Sequence, residues 1–238
     1  IAIFHLATYA DYRDQNKIFE MIEANIKITA NLLLSTVGIN YKVFVNTGSS
    51  SEYGFKKKAM RERDLLEPIS FYAATKAGTT LLAQAFAYYY KKPVVTLRPF
   101  SVYGPLEEEK RFIPTIIKSI INGKSINLTT GSQKRDFVFI DDIVEAFIKT
   151  IDNGTRLTGQ IVNIGTGKQY SNDEVVNKLF KVTGKKVKIN KGKFPLRIWD
   201  SPYWVADISK AKKLLGWTPA HSLENGLLKT YNWFTQAQ

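Results

Sequence analysis

The 238-residue sequence predicts an α/β fold: a doubly wound parallel sheet with a smaller α/β lobe assembled from its later segments. Three observations predict it. Apolar runs of strand length alternate with long stretches of helical spacing. The runs are near-continuous in Val, Ile, Leu and Phe, as strands covered on both faces must be. Right-handed crossovers between successive parallel strands then place helices on both sides of the sheet.

Residues 2–7 (AIFHLA) form the first expected strand. Ile18, Met21, Ile22, Ile26 and Leu33 recur at helical spacing and predict a helix over residues 18–34. Residues 41–46 (YKVFVN) and 93–100 (PVVTLRPF) are further strands, the second opened by a proline tolerated at a strand start. A helix over 71–90 lies between them. A helix over 113–121 is closed by Gly123. Residues 136–140 are extended and run into a helix over 142–151, and 160–165 (QIVNIG) is another strand. Ser171-Asn172-Asp173-Glu174 is a capping box opening the helix over 175–182. A short strand over 186–190 and helices over 208–215 and 223–235 complete the chain. Residues 1–105 and 136–167 are expected to form the main sheet domain, and 106–135 with 168–238 the lobe.

Composition narrows the function. An apolar share of 44% with 13% aromatics is that of a folded globular chain, not a disordered one. No apolar run approaches the ~20 residues that cross a bilayer. Residues 1–9 show no basic leader and no small-residue cleavage site. The absence of cysteine excludes disulfides, thiolate metal sites and a cysteine nucleophile, and suits a reducing cytoplasm. Two distant histidines, His5 and His221, argue against a histidine-based metal site. The net charge of +13 could draw an anion, but the lysines at 56–58, 185–193 and 210–213 are dispersed, so nucleic acid is not the expected partner.

The sharpest local feature is Tyr72-Ala73-Ala74-Thr75-Lys76. Four-residue spacing puts the phenol and the ammonium on one helix face. A nearby ammonium favours the phenolate and lowers the tyrosine pKa toward working pH, which suits proton transfer to or from a carbinol or carbonyl oxygen. Upstream, the strand over 41–46 runs into Thr47-Gly48-Ser49-Ser50-Ser51-Glu52-Tyr53-Gly54. In a parallel sheet, sites form beyond the carboxyl ends of strands, where a serine hydroxyl can reach the same oxygen.

These stretches, with others in order, resemble the extended short-chain dehydrogenases/reductases acting on nucleotide sugars, the NAD-dependent epimerase/dehydratase group. Ile3-Phe4-His5-Leu6-Ala7 is similar to the family's fourth-strand motif, and Asn25 stands where the family has a structural helix asparagine. Leu97-Arg98-Pro99-Phe100-Ser101-Val102-Tyr103-Gly104-Pro105 and Arg135-Asp136-Phe137-Val138-Phe139-Ile140-Asp141-Asp142 match later motifs. Asn163-Ile164-Gly165-Thr166-Gly167 and Leu215-Gly216-Trp217-Thr218-Pro219 match its last landmarks. The resemblance implies a Rossmann-like fold, NAD or NADP as cofactor, a nucleotide-diphosphate sugar as substrate and a homodimer. It makes Tyr72 the general acid/base, Lys76 the ribose-binding lysine and Ser49 the hydroxyl that steadies the reacting oxygen. Leu6, Ala7, Asn25 and Phe100 fall on the cofactor side. Ser50, Ser51, Ser101, Arg135 and Arg197 fall on the substrate side, the arginines as diphosphate ligands. Simpler roles stand beside these: packing for Phe100, Trp199, Trp204 and Trp217, helix capping for Asp141 and Asp142, a surface ion pair for Arg197, and a strand-end hydrogen bond for His5.

Two departures from the family pattern shape the expectation. The glycine-rich G-x-x-G-x-x-G loop that holds the pyrophosphate is not in the sequence, which starts at what resembles the fourth strand. The chain is therefore expected to be an N-terminally shortened piece of an enzyme, with its first strands lacking. Dehydratases of the family carry an Asp-Glu pair directly after the catalytic Ser/Thr. Here Ser50 and Ser51 stand there, and Glu52, one step on, is expected to face elsewhere by strand alternation. A 4,6-dehydratase is thus disfavoured. A 4-keto reductase of deoxysugar biosynthesis or a 4-epimerase remains, the Ser51-Glu52-Tyr53-Gly54 and Phe71-Tyr72-Ala73-Ala74-Thr75-Lys76 stretches tilting toward the reductase. A non-catalytic RNA-binding or regulatory protein on the same scaffold is the alternative of a different kind.

Overall fold

The structure, a computed structural model, describes residues 1–9, 17–195 and 200–236. Its strands are β1 (Ala2–His5), β2 (Val43–Thr47), β3 (Val94–Pro99), β4 (Ser101–Tyr103), β5 (Ile126–Asn127), β6 (Lys134–Arg135), β7 (Phe137–Phe139), β8 (Ile161–Ile164), β9 (Tyr170–Ser171) and β10 (Ile189–Asn190). The helices are α1 (residues 18–35), α2 (Phe71–Tyr90), α3 (Phe112–Ile121), α4 (Ile140–Lys149), α5 (Asn172–Thr183), α6 (Ser209–Leu215) and α7 (Leu223–Gln236). The main sheet is parallel throughout, in the order β1-β2-β3-β8.

Alternation along the strands decides which helices cover which face. Val43, Val45, Val95, Leu97, Val162 and Ile164 share one core with Ile143, Ala146 and Phe147 of α4, Ala211 and Leu215 of α6, and Trp217. Phe44 and Val94 pack on the other face, against Leu33 of α1 and Ala83, Phe86 and Ala87 of α2. Helices on both faces make the sheet doubly wound, as the alternation of the sequence requires.

A second core sits beside the sheet. Ile113, Ile116, Ile117 and Ile120 of α3 meet Val175, Val176 and Leu179 of α5 and Leu227, Tyr231 and Phe234 of α7. Strand β7 joins the two cores. Its Phe137 and Phe139 point into the second core, while Val138 between them points into the first. The capping box at Ser171 forms, with Ser171 Oγ accepting from Glu174 N and Glu174 accepting from Ser171 N. The strand expected over 186–190 shortens to β10 and pairs with β5.

The helix expected over 18–34 forms, but its middle is not α. Ile22–Lys27 takes the wider i→i+5 turn of a π-helix between the α segments Ile18–Met21 and Ile28–Ser35. Its buried positions are Met21, Asn25, Thr29 and Leu33, four apart throughout. In an α-helix four residues turn about 400°, so such a stripe drifts by about 40° per step. The wider turn takes back part of that drift and keeps the stripe on α2. Sequence periodicity picked out Ile22 instead, and it is exposed.

Two aspartates act differently from the caps expected of them. The first turn of α4 begins after Phe139, with no side-chain cap. Asp142 is buried and accepts from Ala220 N (3.0 Å), His221 N (3.2 Å) and His221 Nδ1 (2.9 Å), anchoring the entry to α7. Asp141 lies on the surface beside His221 and Lys229. Among the described residues no helix is long and apolar enough to cross a membrane, and no cluster of three His, Cys, Asp or Glu could hold a metal.

Candidate active site

The carboxyl ends of the parallel strands β1, β2 and β3 lie side by side at one end of the sheet, and Leu6, Ser49 and Phe100 follow them in the chain. Leu6 and Ala7 follow β1 and are exposed. Past β2, Gly48 turns the chain and Ser49 caps the 3₁₀ turn Ser50–Tyr53. Ser49 Oγ accepts from Ser51 N at 3.1 Å, while Ser49 N donates to Glu52 Oε1 at 2.7 Å. Phe100 follows β3.

Helix α2 starts where it does because Ser70 caps it, its hydroxyl accepting from Ala73 N. Tyr72 thus falls in the first turn and Lys76 one turn later, both buried. The Lys76 ammonium donates to Thr47 O at 2.9 Å, which ties α2 to the end of β2. Burial pushes this ammonium down to about 8, against an upward pull from Glu52. His5, buried on β1, bonds Thr29 Oγ1 through Nε2 at 2.8 Å. Burial, then the Lys76 charge, hold His5 below the ordinary imidazole range.

Asn25, in the π turn, clamps three elements. It accepts from Tyr9 N (2.8 Å) and donates to Tyr9 O (3.0 Å) and Thr75 Oγ1 (2.9 Å). Thr75 in turn donates to Tyr72 O (2.9 Å). Replacing Asn25 by alanine is expected to cost about 1–3 kcal/mol, because Thr75 and the Tyr9 backbone lose their partner. Urea unfolding at constant m checks it.

Trp204 Nε1 donates to Ser50 Oγ at 3.1 Å, and the Arg135 guanidinium lies 5.0 Å from the centre of the Trp204 ring. Arg135 also pairs with Asp200 at 3.5 Å. Phe100 is buried among Tyr53, Met60, Trp204 and Ala206, so it packs at the rim of this site. Ser101 lies on β4 opposite Phe137. Arg197 and Trp199 lie outside the described residues.

The sequence reading missed two residues. Trp204, read as packing, bridges Ser50 and Arg135. Glu52 does not sit on a strand, so alternation does not govern it. It sits in the 3₁₀ turn, fully buried, and bonds Ser49 N, Thr80 Oγ1 (3.0 Å) and Arg98 Nε (2.8 Å). The signal was present: Ser49-x-x-Glu52 is the same capping-box spacing that was recognised at Ser171.

Residues 1–165 match the model of the NAD dependent epimerase/dehydratase family. The chain belongs to this family. Its similarity to individual members runs nearly end to end. A UDP-glucuronate 4-epimerase of Thermodesulfobacterium geofontis is 36% identical over 98% of this chain and 72% of its own length. The CDP-abequose synthase of Salmonella muenchen is 30% identical over 96% of the chain and 75% of its own length. The crystal structure of UDP-glucuronic acid 4-epimerase from Bacillus cereus, solved with UDP-glucuronic acid and NAD, superposes with a TM-score of 0.91 at 31% identity, covering all of this chain and 76% of that one.

Membership places the chain among NAD-dependent enzymes, and the residues present fit a nicotinamide nucleotide. An ammonium has three N–H donors. Lys76 gives one to Thr47 O and keeps the others at the sheet edge, where a ribose diol can accept them. In this family member the glycine-rich phosphate loop is not among the 238 residues.

Proposed function

We propose that this protein is an NAD-dependent 4-epimerase of a UDP-hexose or UDP-hexuronate. The observation that carries the reading is the bond from the Lys76 ammonium to Thr47 O, which holds the helix bearing Tyr72 and Lys76 against the end of β2, two residues before Ser49. Tyr72 takes the proton of the sugar 4-hydroxyl and returns it. Lys76 holds the nicotinamide ribose, and its charge favours the phenolate. Ser49 donates to the same sugar oxygen, since its Oγ already accepts from Ser51 N and its hydrogen is free to point outward. A nicotinamide held there by Lys76 would supply reversible hydride acceptance at C4 of the sugar. Leu6, Ala7 and Phe100 line the cofactor, and Asn25 fixes the segment at Thr8 and Tyr9 beside it. Ser50, Ser51 and Ser101 serve the sugar in this reading, and Arg135 the diphosphate. In this reading residues 1–105 and 136–167 carry the cofactor, and 106–135 with 168–238 the nucleotide sugar.

Dehydration needs an acid near Ser49, and Glu52 cannot serve: three donors occupy its two oxygens and it has no exposure. The similarity to UDP-glucuronate 4-epimerases favours epimerisation over the expected tilt toward reduction. A 4-keto reductase is the second reading, favoured by the similarity to a trifunctional Arabidopsis thaliana enzyme whose name includes UDP-4-keto-L-rhamnose-reductase. The exposed Leu34, Leu81, Tyr88 and Tyr89 on α1 and α2 suit a homodimer through these helices.

The test is to incubate full-length protein with UDP-glucuronate and NAD and follow the sugar by NMR. The C4 epimer should appear without net accumulation of reduced cofactor. Stoichiometric consumption of reduced cofactor with a 4-keto substrate, and no epimer, would establish the reductase instead.

A further inference from the structure

The buried pair Glu52–Arg98 is unexplained by the fold alone. Its side chains are 0% and 1% exposed and meet at 2.8 Å. Well-packed apolar residues usually serve stability as well as such a pair does, so stability is a poor reason for its presence. Its wiring is more informative. Glu52 Oε1 takes Ser49 N and the Thr80 hydroxyl, and Oε2 takes Arg98 Nε. All three partners donate, which suits an ionised carboxylate, an acceptor only. Arg98 also donates to Tyr53 Oη (2.9 Å), which donates to Asn163 Oδ1 (2.7 Å), so the network reaches from the turn after β2 across β3 to β8.

The carboxylate is wedged against the backbone that delivers Ser49. A Cβ on Gly48 would stand 2.6 Å from Glu52 Oε1 and 2.9 Å from the Thr96 side chain, so no larger residue fits there. Thr80 lies one turn beyond Lys76 on α2, so the same carboxylate grips the helix that carries Tyr72 and Lys76. An apolar residue at this position could pack, but it could neither hold Ser49 N nor set a negative charge behind Lys76.

We propose that Glu52 is a positioning residue: its buried carboxylate locks the Ser49 backbone to α2 and supplies the countercharge behind the Lys76 ammonium. The proposal rests on the roles given to Ser49, Tyr72 and Lys76 above. The titratable groups facing Lys76 are His5 from β1, Tyr72 one turn back on its own helix and Glu52 from the turn, with Arg98 of β3 behind Glu52. Of these, Glu52 opposes the downward push of burial on the Lys76 ammonium.

Glu52→Gln in the full-length protein tests it. The amide can still accept from Ser49 N but carries no charge. We expect kcat to fall by about 10–100-fold with KM changed less than about threefold, and the alkaline limb of the kcat/KM profile to move to lower pH as Lys76 loses its proton earlier. Glu52→Asp should return that limb toward its original place. Because Glu52→Gln leaves Arg98 buried without its countercharge, the double variant Glu52→Gln/Arg98→Met is measured alongside it. It should fold and show the same acidward limb. An unmoved limb in a folded variant overturns the proposal, and so does failure of both variants to fold, which would make the pair a scaffold element. Tyr72→Phe run in the same assay separates the two readings. If it stays active, the acid/base assignment fails. If it is inactive while Glu52→Gln matches the parent, only the role of Glu52 fails.

Discussion

Tyr72→Phe is expected to lower kcat by about 10²–10⁴-fold, the range that a positioned general acid/base contributes. The phenyl ring keeps the buried packing of Tyr72 at the start of α2. It removes the one group in that turn able to exchange a proton with a carbinol oxygen. Stability should change little, and equilibrium dialysis should show NAD bound as tightly as in the parent, because Lys76 and its bond to Thr47 O remain. A loss in kcat and kcat/KM by the same factor would mark an interaction made in the transition state. Undiminished turnover would refute the assignment.

The second large effect is on stability. Arg98→Met leaves the Glu52 carboxylate fully buried without its cation, a change expected to cost about 3–5 kcal/mol. For a chain of this size that is a fall in Tm of roughly 10 °C. The pH dependence has a definite sign. Burial already holds Glu52 above the ordinary carboxylate range, with Arg98 as the main opposing influence. Without Arg98 the folded-state value rises further above that of the unfolded chain. An acid with a raised folded value binds more protons when folded, so stability falls as pH climbs. The deficit should therefore be larger at about pH 8 than at about pH 5. Thermal unfolding at the two pH values checks this. The double variant with Glu52→Gln should lose less than Arg98→Met alone, since no lone charge is then buried.

What could be read from the sequence was what is local. Tyr72 and Lys76 declare themselves because a spacing of four is a statement about one helix face. Ser171 and Glu174 do so because a capping box closes within one turn. The strand pattern was legible because burial on both faces leaves unbroken apolar runs. The polar framework was not. Asp136 accepts from Thr166 N, Gly167 N and Ala206 N, and Asp142 accepts from residues 220 and 221. Those partners lie 30 to 79 residues away, and no short-range pattern announces them. Trp204 joins Ser50 across 154 residues for the same reason. Glu52 is the instructive case. Its capping spacing was visible, but the rule for strands was applied to a segment that turns.

The π turn of α1 has a consequence for how this helix bears a change in its length. An i→i+5 turn holds one residue more than an α-helix of the same reach. In an alignment it behaves as a single-residue insertion between Met21 and Thr29, absorbed without a loop. A relative lacking that residue can keep both flanking helical segments in place on α2. It forfeits the alignment of Asn25 with Thr75 and Tyr9. Deleting one residue from the π turn is therefore expected to uncouple the segment after β1 from the helix that carries Tyr72.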